Sequence, residues 1–488
     1  MFEKITPEDA GLPSKNIKEF IDALEENGCT THSLILMKGD KLFAEHYWAP
    51  FHKDFLHRQY SQTKSLVGVA IGLLVDEGKL NLDDKVVSYF PEKIEREIPP
   101  FLGEQTIRDM LTMCTCGGPD KSWFNSDDPD RTHFYINEAV ADHKSGLRWA
   151  YDSAGSQVLS SLVEKLSGMD LLTFLKTRIF DEMKTFKTAR ILKCRNNDSW
   201  GDSALLCTSR DMASFGCFVM NYGKINGKQL ISEAYLREAT SALVNNDEDG
   251  FGDCFSQGYG YQIWCTFGGF AFVGMGDQLT VCIPEKKLIF VINSDNQGHP
   301  NSRGIIMSAF FSKIVKPMAD YPLTEAEAVD VGELKLACIN GKASSENADK
   351  INGKEYFCEP NNTGIEKFFF TFNQKGGEWH YTNAQGDKVL PFYWNENCFC
   401  KFPQDGYSTE HGGCKNTEGY RYNCATSGAW LNDKQLALRC QIIDDYFGNF
   451  TARFGFENDT ADVIFTKHAE DFLGEYNGAF NAKLKMQN

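Results

Sequence analysis

The pattern of apolar and polar positions predicts a first part of the chain that mixes helices and strands. A helical spacing of Ile17, Phe20, Ile21 and Leu24 predicts an amphipathic helix within residues 5–28. Short apolar runs at 33–37 and 41–47, joined by a Lys-Gly-Asp turn, predict a hairpin. Further strands are predicted at 258–266, 269–273, 278–283 and 288–293, with helices between the two groups. Strands at both ends of a helical middle predict an α+β domain with an antiparallel sheet and a helical insertion.

The last part of the chain has a different pattern, in which alternating apolar and polar residues predict strands alone. These segments are 367–373, 378–382, 387–393, 435–443 and 450–456, and Gly, Asn and Asp turns separate them. An acidic segment at 326–330 precedes them. We therefore predict two domains, residues 1–325 and an all-β barrel or sandwich over 326–488.

The most apolar helical segment of the chain follows Ser61. Apolar residues surround nearly the whole helix from Leu66 to Leu74, so we expect it to be buried in a core, and Gly78 is suited to end it. Ser61 and Lys64 are three positions apart, which places both on one helix face. A serine nucleophile needs a neighbouring group to take its proton. The alternative is a serine N-cap followed by a solvated lysine.

Charge and composition narrow the range of partners. The formal net charge of −17 argues against nucleic acid and anionic membranes as partners. The longest apolar run, 66–75, is too short to span a bilayer, and the first residues lack a signal-peptide pattern. We therefore expect a soluble, cytoplasmic protein whose sixteen cysteines are free thiols. The cluster Cys398, Cys400, Cys414 and Cys424, with His411 nearby, has no compact C-x-x-C pair, and we predict neither a metal nor a cofactor.

Several segments in order resemble the serine β-lactamase and penicillin-binding-protein superfamily, in its class-C-like branch with esterases and D-amino-acid peptidases. They are Ser61-Gln62-Thr63-Lys64, residues 79–84, residues 106–113, Tyr151-Asp152-Ser153 and residues 284–288. The resemblance covers residues 1 to about 320 and implies the β-lactamase/transpeptidase-like fold. The C-terminal part resembles the lipocalin-like β extensions of some relatives.

The resemblance implies a role for each matching residue. Ser61 would attack a carbonyl and form an acyl-enzyme, and Tyr151 with Lys64 would relay the proton. The backbone N–H groups of Ser61 and Met275 would form the oxyanion hole.

Two departures from the family pattern affect substrate binding. Ser153 stands where the family has Asn. The third element, usually Lys or His, a small residue and Gly, reads Phe272-Val273-Gly274 here, so its cation is missing. Gly274 and Gly276 still permit close approach of an acyl group. We predict that Ser153, Phe272, Gly274, Gly276 and Gln278 bind substrate, with sheet packing as the alternative for Gln278.

These features predict a serine hydrolase that acts on a small ester or amide, or on a short peptide. An efficient β-lactamase is less favoured, because a charge-assisted hydrogen bond to the β-lactam carboxylate, of about 1.5–3 kcal/mol, is missing. Two alternatives stay open: a true β-lactamase or D,D-peptidase in which an arginine such as Arg148 supplies the cation, and a binding or scaffold protein without turnover. The oligomeric state stays open.

Overall fold

The computed structural model describes residues 2–247, 252–324, 329–406, 411–412, 419–470 and 472–485. The chain forms two compact units. One comprises residues 1–335 with 410–412, and the other comprises 336–409 with 413–488. The boundary predicted between residues 325 and 326 lies outside the described residues.

The first unit contains twelve strands and eleven helices among its described residues. The strands are β1 (Glu3–Lys4), β2 (Thr31–Lys38), β3 (Lys41–Tyr47), β4 (His57–Arg58), β5 (Arg190–Ile191), β6 (Leu205–Cys207), β7 (Lys224–Ile225), β8 (Lys228–Gln229), β9 (Trp264–Thr266), β10 (Gly269–Gly274), β11 (Gln278–Ile283) and β12 (Leu288–Ser294). The helices are α1 (Ser14–Glu26), α2 (Gln62–Asp76), α3 (Pro100–Glu104), α4 (Ile107–Leu111), α5 (Arg131–Glu138), α6 (Ser153–Ser167), α7 (Leu171–Leu175), α8 (Asp181–Met183), α9 (Ser209–Met220), α10 (Glu233–Ala239) and α11 (Ser302–Ala309).

A seven-stranded sheet in the order β1-β3-β2-β12-β11-β10-β9 forms the centre of this unit. All neighbouring strands are antiparallel except β1, which pairs parallel with β3. The predicted α+β fold with a helical insertion is confirmed, and the sheet is mixed because of its two-residue edge strand. The predicted strand over 258–266 shortens to β9.

Helices cover both faces of the sheet. On one face, Phe20 of α1 meets Phe290 of β12 edge to face, with ring centroids 5.6 Å apart. Phe310, directly after α11, stacks on the same ring at 4.5 Å. On the other face, α9 contacts β2, β11 and β12, and α2 contacts β10 and β11. Because both faces are covered, the central strands read as continuous apolar runs.

Helix α2 is buried around its circumference, as the sequence predicts. Its residues from Gln62 to Leu74 are all buried. Two glycines on one face allow neighbours to approach its backbone. A Cβ at Gly68 would lie 2.6 Å from the carbonyl oxygen of Tyr261, and a Cβ at Gly72 would lie 2.3 Å from the ring of Tyr235. Neighbouring residues therefore pack directly against the backbone of α2.

The second unit is a closed β-barrel. Its elements are α12 (Ala348–Ile351), β13 (Tyr356–Cys358), β14 (Lys367–Phe372), β15 (Gly376–Asn383), β16 (Gly386–Trp394), β17 (Cys398–Lys401), β18 (Asn423–Trp430), β19 (Gln435–Ile443), β20 (Phe447–Glu457), β21 (Thr460–Ala469) and β22 (Gly478–Leu484). Nine strands follow the order β16-β15-β14-β13-β22-β21-β20-β19-β18, and parallel pairing of β16 with β18 closes the ring. Of the two predicted forms, the structure is the barrel.

No helix in the described parts of the chain is long and apolar enough to cross a membrane. The fifteen cysteines among the described residues are free thiols. Cys414 of the predicted cluster lies outside the described residues.

We predict that Gly72→Ala destabilises the protein although alanine favours helices. The added methyl would meet the Tyr235 ring at 2.3 Å, and overpacking of a core typically costs about 1–3 kcal/mol. Gly103→Ala in α3 is the matched control, because its methyl makes only an ordinary 3.5 Å contact with Ile98. The control should equal or exceed wild type in the free energy of unfolding, measured by chemical denaturation. Equal stability of the two variants would contradict close packing on α2.

Candidate active site

Ser61 lies at the start of α2, immediately after a residue with an unusual backbone conformation. Tyr60 has φ = 48°, in the left-handed region that non-glycine residues rarely adopt. The hydroxyl of Thr63 donates to the Tyr60 carbonyl at 2.6 Å and holds this turn. The Ser61 side chain makes no N-cap hydrogen bond. Its hydroxyl is instead within reach of Lys64.

Lys64 is almost fully buried, with 2 % exposure. Its Nζ donates to Ser61 Oγ at 2.9 Å and to the backbone carbonyl oxygen of Asp202 at 2.6 Å. The Asp202 carboxylate is 4.0 Å from the same nitrogen. This geometry differs from that of a solvated lysine, and it places the amine against the serine.

A buried ion pair that the sequence did not reveal supports Lys64. Arg131 Nη1 donates to Asp202 Oδ1 at 2.5 Å, and both side chains are less than 10 % exposed. Burial alone would lower the pKa of Arg131, but the Asp202 carboxylate outweighs it and raises the pKa above the usual value. The two residues lie 71 positions apart, so no spacing rule could have paired them.

Strand pairing brings Asp202 to the nucleophile. Strand β4 ends three residues before Ser61, and β6 begins three residues after Asp202. The two strands pair His57 with Cys207 and Arg58 with Leu206. Leu205 N also donates to Thr63 Oγ1 at 3.1 Å. The loop that carries Asp202 is thus fixed to the segment that carries Ser61.

Tyr151 comes from a distant loop and lies beside the lysine. Lys64 Nζ is 5.1 Å from the centroid of the Tyr151 ring. The ring stacks on Trp264 at 5.8 Å, with 25° between the planes, and contacts Trp149. The structure therefore brings together Ser61, Lys64 and Tyr151.

The start of α6 holds the Tyr151 loop in place. Asp152 caps the helix by accepting from Gly155 N at 2.8 Å, and it accepts from Thr115 Oγ1 at 3.0 Å. Burial raises the pKa of the Asp152 carboxyl. Ser153 begins the helix and is half-buried two residues from Tyr151.

The turn after β10 lies against the nucleophile segment. A Cβ at Gly274 would meet the carbonyl oxygen of Gln59 at 2.3 Å, so only glycine permits this approach. Gly276 has φ = 72°, again a conformation suited to glycine. Neither Ser61 N nor Met275 N donates a hydrogen bond within the described residues. Both amides are therefore available to an oxygen of a ligand.

Two of the predicted substrate-binding side chains are placed elsewhere. Phe272 is fully buried, and its ring lies 5.1 Å from that of Phe215. Gln278 is also fully buried, and it bonds to the backbone of Met275 and Ser294. Both side chains take part in sheet packing, the role that the sequence left open for Gln278, and substrate binding by them stays a prediction. The alternation of side chains along β10 and β11 could not settle this.

A cavity of about 400 Å³ borders the same turn. Gly276, Asp277, Phe255, His299 and Arg303 are among its lining residues. The guanidinium of Arg303 pairs with Asp277 at 3.1 Å. Sequence reasoning did not find this cation, because α11 lies more than twenty residues beyond the turn.

The fold agrees with comparison to known proteins. The family model described as Beta-lactamase matches residues 16–307, more than half of the chain, and the protein belongs to this family. The chain is 26 % identical over 259 residues to the 6-aminohexanoate-dimer hydrolase of Paenarthrobacter ureafaciens. That match covers 49 % of this chain and 65 % of the relative, less than two thirds of its length.

Solved structures share the fold at low sequence identity. A Bacillus anthracis protein provisionally named a 6-aminohexanoate-dimer hydrolase aligns with a TM-score of 0.53 and 19 % identity, over 67 % of this chain and 89 % of that one. The octameric penicillin-binding protein homologue from Pyrococcus abyssi aligns with a TM-score of 0.50 and 15 % identity, over 97 % of this chain and 99 % of that one.

We predict that Asp202→Asn is strongly destabilising. It leaves the buried Arg131 guanidinium without its carboxylate, and removing one partner of a buried pair typically costs about 3–5 kcal/mol. The double variant Arg131→Met/Asp202→Asn should recover part of this loss, because no unpaired guanidinium remains. Chemical denaturation of the single and double variants measures both effects. A double variant no more stable than Asp202→Asn alone would contradict the coupling.

Proposed function

We propose that this beta-lactamase-family protein is a serine hydrolase that forms an acyl-enzyme on small ester or amide substrates. The observation that carries the proposal is the 2.9 Å hydrogen bond from Lys64 Nζ to Ser61 Oγ, with the Tyr151 ring beside the same nitrogen. A hydroxyl, an amine and a phenol side chain that lie close together supply a nucleophile and a proton relay.

In this proposal Lys64 serves as a hydrogen-bond donor and Tyr151 as the general base. Lys64 Nζ donates a hydrogen bond to Ser61 Oγ and another to the carbonyl oxygen of Asp202. The proposal requires Tyr151 to act through its deprotonated oxygen. The phenolate of Tyr151 takes the proton of Ser61 as Oγ bonds to the substrate carbonyl carbon. The tetrahedral intermediate then expels the alcohol or amine, which receives that proton.

The acyl-enzyme is resolved by the reverse sequence. Tyr151 takes a proton from water, the hydroxide oxygen bonds to the acyl carbon, and Ser61 Oγ leaves with the proton. The amides of Ser61 and Met275 stabilise the negative oxygen in both steps. The cavity beside Gly276 would hold part of the substrate.

An amide is a reasonable substrate class beside an ester, because one relative bears the name of a hydrolase for a 6-aminohexanoate dimer. The match covers less than two thirds of that relative, so the substrate belongs to the proposal. The cytoplasmic location expected from the sequence also stays a prediction.

We expect Ser61→Ala to abolish hydrolysis of a small nitrophenyl ester. Ser65→Ala is the matched control, because Ser65 lies on the same buried helix and its hydroxyl donates to the Gln262 carbonyl. Tyr151→Phe should lower kcat by about 10²–10⁴-fold, the usual contribution of general acid–base catalysis. Intact-mass spectrometry after treatment with a fluorophosphonate should show one adduct on wild type and none on Ser61→Ala.

Equal ester hydrolysis by wild type and Ser61→Ala would remove Ser61 from the mechanism. A wild-type protein that neither hydrolyses the ester nor reacts with the fluorophosphonate would favour the binding or scaffold alternative.

The β-lactamase alternative depends on a cation for the substrate carboxylate. Arg148 is exposed in the loop before Trp149, whereas Arg303 lines the cavity and is already paired with Asp277. A substrate carboxylate would compete with Asp277 for Arg303. We therefore expect kcat/KM for nitrocefin to be at least about ten-fold below that for the ester, because one charge-assisted hydrogen bond is missing. Rapid nitrocefin turnover that is lost in Arg148→Met or Arg303→Met would support the alternative.

A further inference from the structure

Three buried amide side chains connect the two halves of the proposed oxyanion hole. They are Gln59, Asn293 and Gln278, and each is fully buried. Gln59 lies two residues before Ser61, and Gln278 lies three residues after Met275. Asn293, near the end of β12, lies between them. None of the three has a role in the proton relay.

The hydrogen bonds run without interruption from one segment to the other. Asn293 Nδ2 donates to Gln59 Oε1 at 3.1 Å and to Gln278 Oε1 at 3.2 Å. Gln278 Nε2 in turn donates to the carbonyl oxygen of Met275 at 3.0 Å. At the other end, Gln59 Nε2 donates to the carbonyl oxygen of His57 at 3.0 Å.

The orientation of Asn293 is itself fixed. Its Oδ1 accepts from Ser33 Oγ at 3.1 Å and from Ser209 Oγ at 2.8 Å. Gln278 Oε1 also accepts from Ser294 N at 3.1 Å, so Asn293 must present its donor Nδ2 to that oxygen. Aspartate at this position would keep the acceptor and lose both donors.

A close backbone contact links these amide hydrogen bonds to the geometry of the proposed oxyanion hole. Gly274 lies directly against the Gln59 carbonyl oxygen, so a small displacement of either segment changes the separation of the Ser61 and Met275 amides. Oxyanion stabilisation depends on donors that are fixed before the reaction. Buried amide hydrogen bonds are directional and costly to leave unmade.

We propose that Gln59, Asn293 and Gln278 are positioning residues that set the spacing of the two oxyanion-hole amides. This inference rests on the proposed function and adds to it the residues that hold the hole in shape. The three amides act through the backbone of the nucleophile segment and of the Met275 turn, without touching substrate.

The test compares Asn293→Asp and Gln278→Met with wild type. We expect kcat for the nitrophenyl ester to fall at least about ten-fold with KM within about two-fold, since a single oxyanion-hole donor is worth about 10²–10³ in kcat. The dissociation constant of phenylboronic acid, whose tetrahedral adduct with Ser61 places an oxygen in the hole, should rise in parallel. The kcat of the double variant should be little lower than that of the worse single variant, because both changes interrupt the same chain of hydrogen bonds.

Asn16→Asp is the matched control, because Asn16 is a buried asparagine of α1 whose amide donates to the backbone carbonyl oxygen of Lys313 and, within the described residues, has no contact with the site segments. It should lower the melting temperature by an amount similar to Asn293→Asp and leave kcat and boronate affinity unchanged. Wild-type kcat and boronate affinity in Asn293→Asp and Gln278→Met would overturn the inference while the proposed function stands. A wild-type protein with no Ser61-dependent hydrolysis and no boronate adduct would overturn both.

Discussion

The candidate site depends on the placement of one buried amine. Lys64 is nearly inaccessible to water, and a buried amino group needs hydrogen-bond acceptors and a compensating charge. It finds them in Ser61 one helical turn away and in Asp202, whose backbone carbonyl and carboxylate both face it. The amine therefore couples the nucleophile helix to a loop 138 residues further along the chain. Arg131 pairs with the same carboxylate.

Much of the first unit serves to make that coupling geometrically possible. The short pairing of β4 with β6 places the Asp202 loop beside the first turn of α2. Glycines on α2 let Tyr261 and Tyr235 pack onto the helix backbone, and Gly274 lets the end of β10 reach the Gln59 carbonyl. Each of these contacts is made at the backbone of a glycine, where a larger side chain would not fit.

Polar groups buried around the site fall into two sets with different tasks. The charged set, Lys64, Asp202 and Arg131, lies beside the Ser61 hydroxyl and, in the proposed mechanism, acts on proton transfer. The neutral amide set, centred on Asn293, connects the nucleophile segment with the Met275 turn and carries no net charge. Neutral amides hold a backbone in place without adding a field that would compete with the lysine. This separation lets the electrostatics and the geometry of the site be altered independently.

The sequence determined the elements whose signal is local. The apolar circumference of α2, the Ser61–Lys64 spacing and the strand over 435–443 follow from neighbours a few positions apart, and the structure contains each of them. The family pattern also singled out Tyr151, which the fold brings to Lys64. Only the tertiary structure decided the rest. No local sequence pattern marks Asp202 and Arg131. They become a buried pair only because the pairing of β4 with β6 fixes the loop that contains Asp202. The placement of Phe272 and Gln278 was also decided by the tertiary structure. Alternation along a strand defines two faces, and only the packing on each side determines which face is covered.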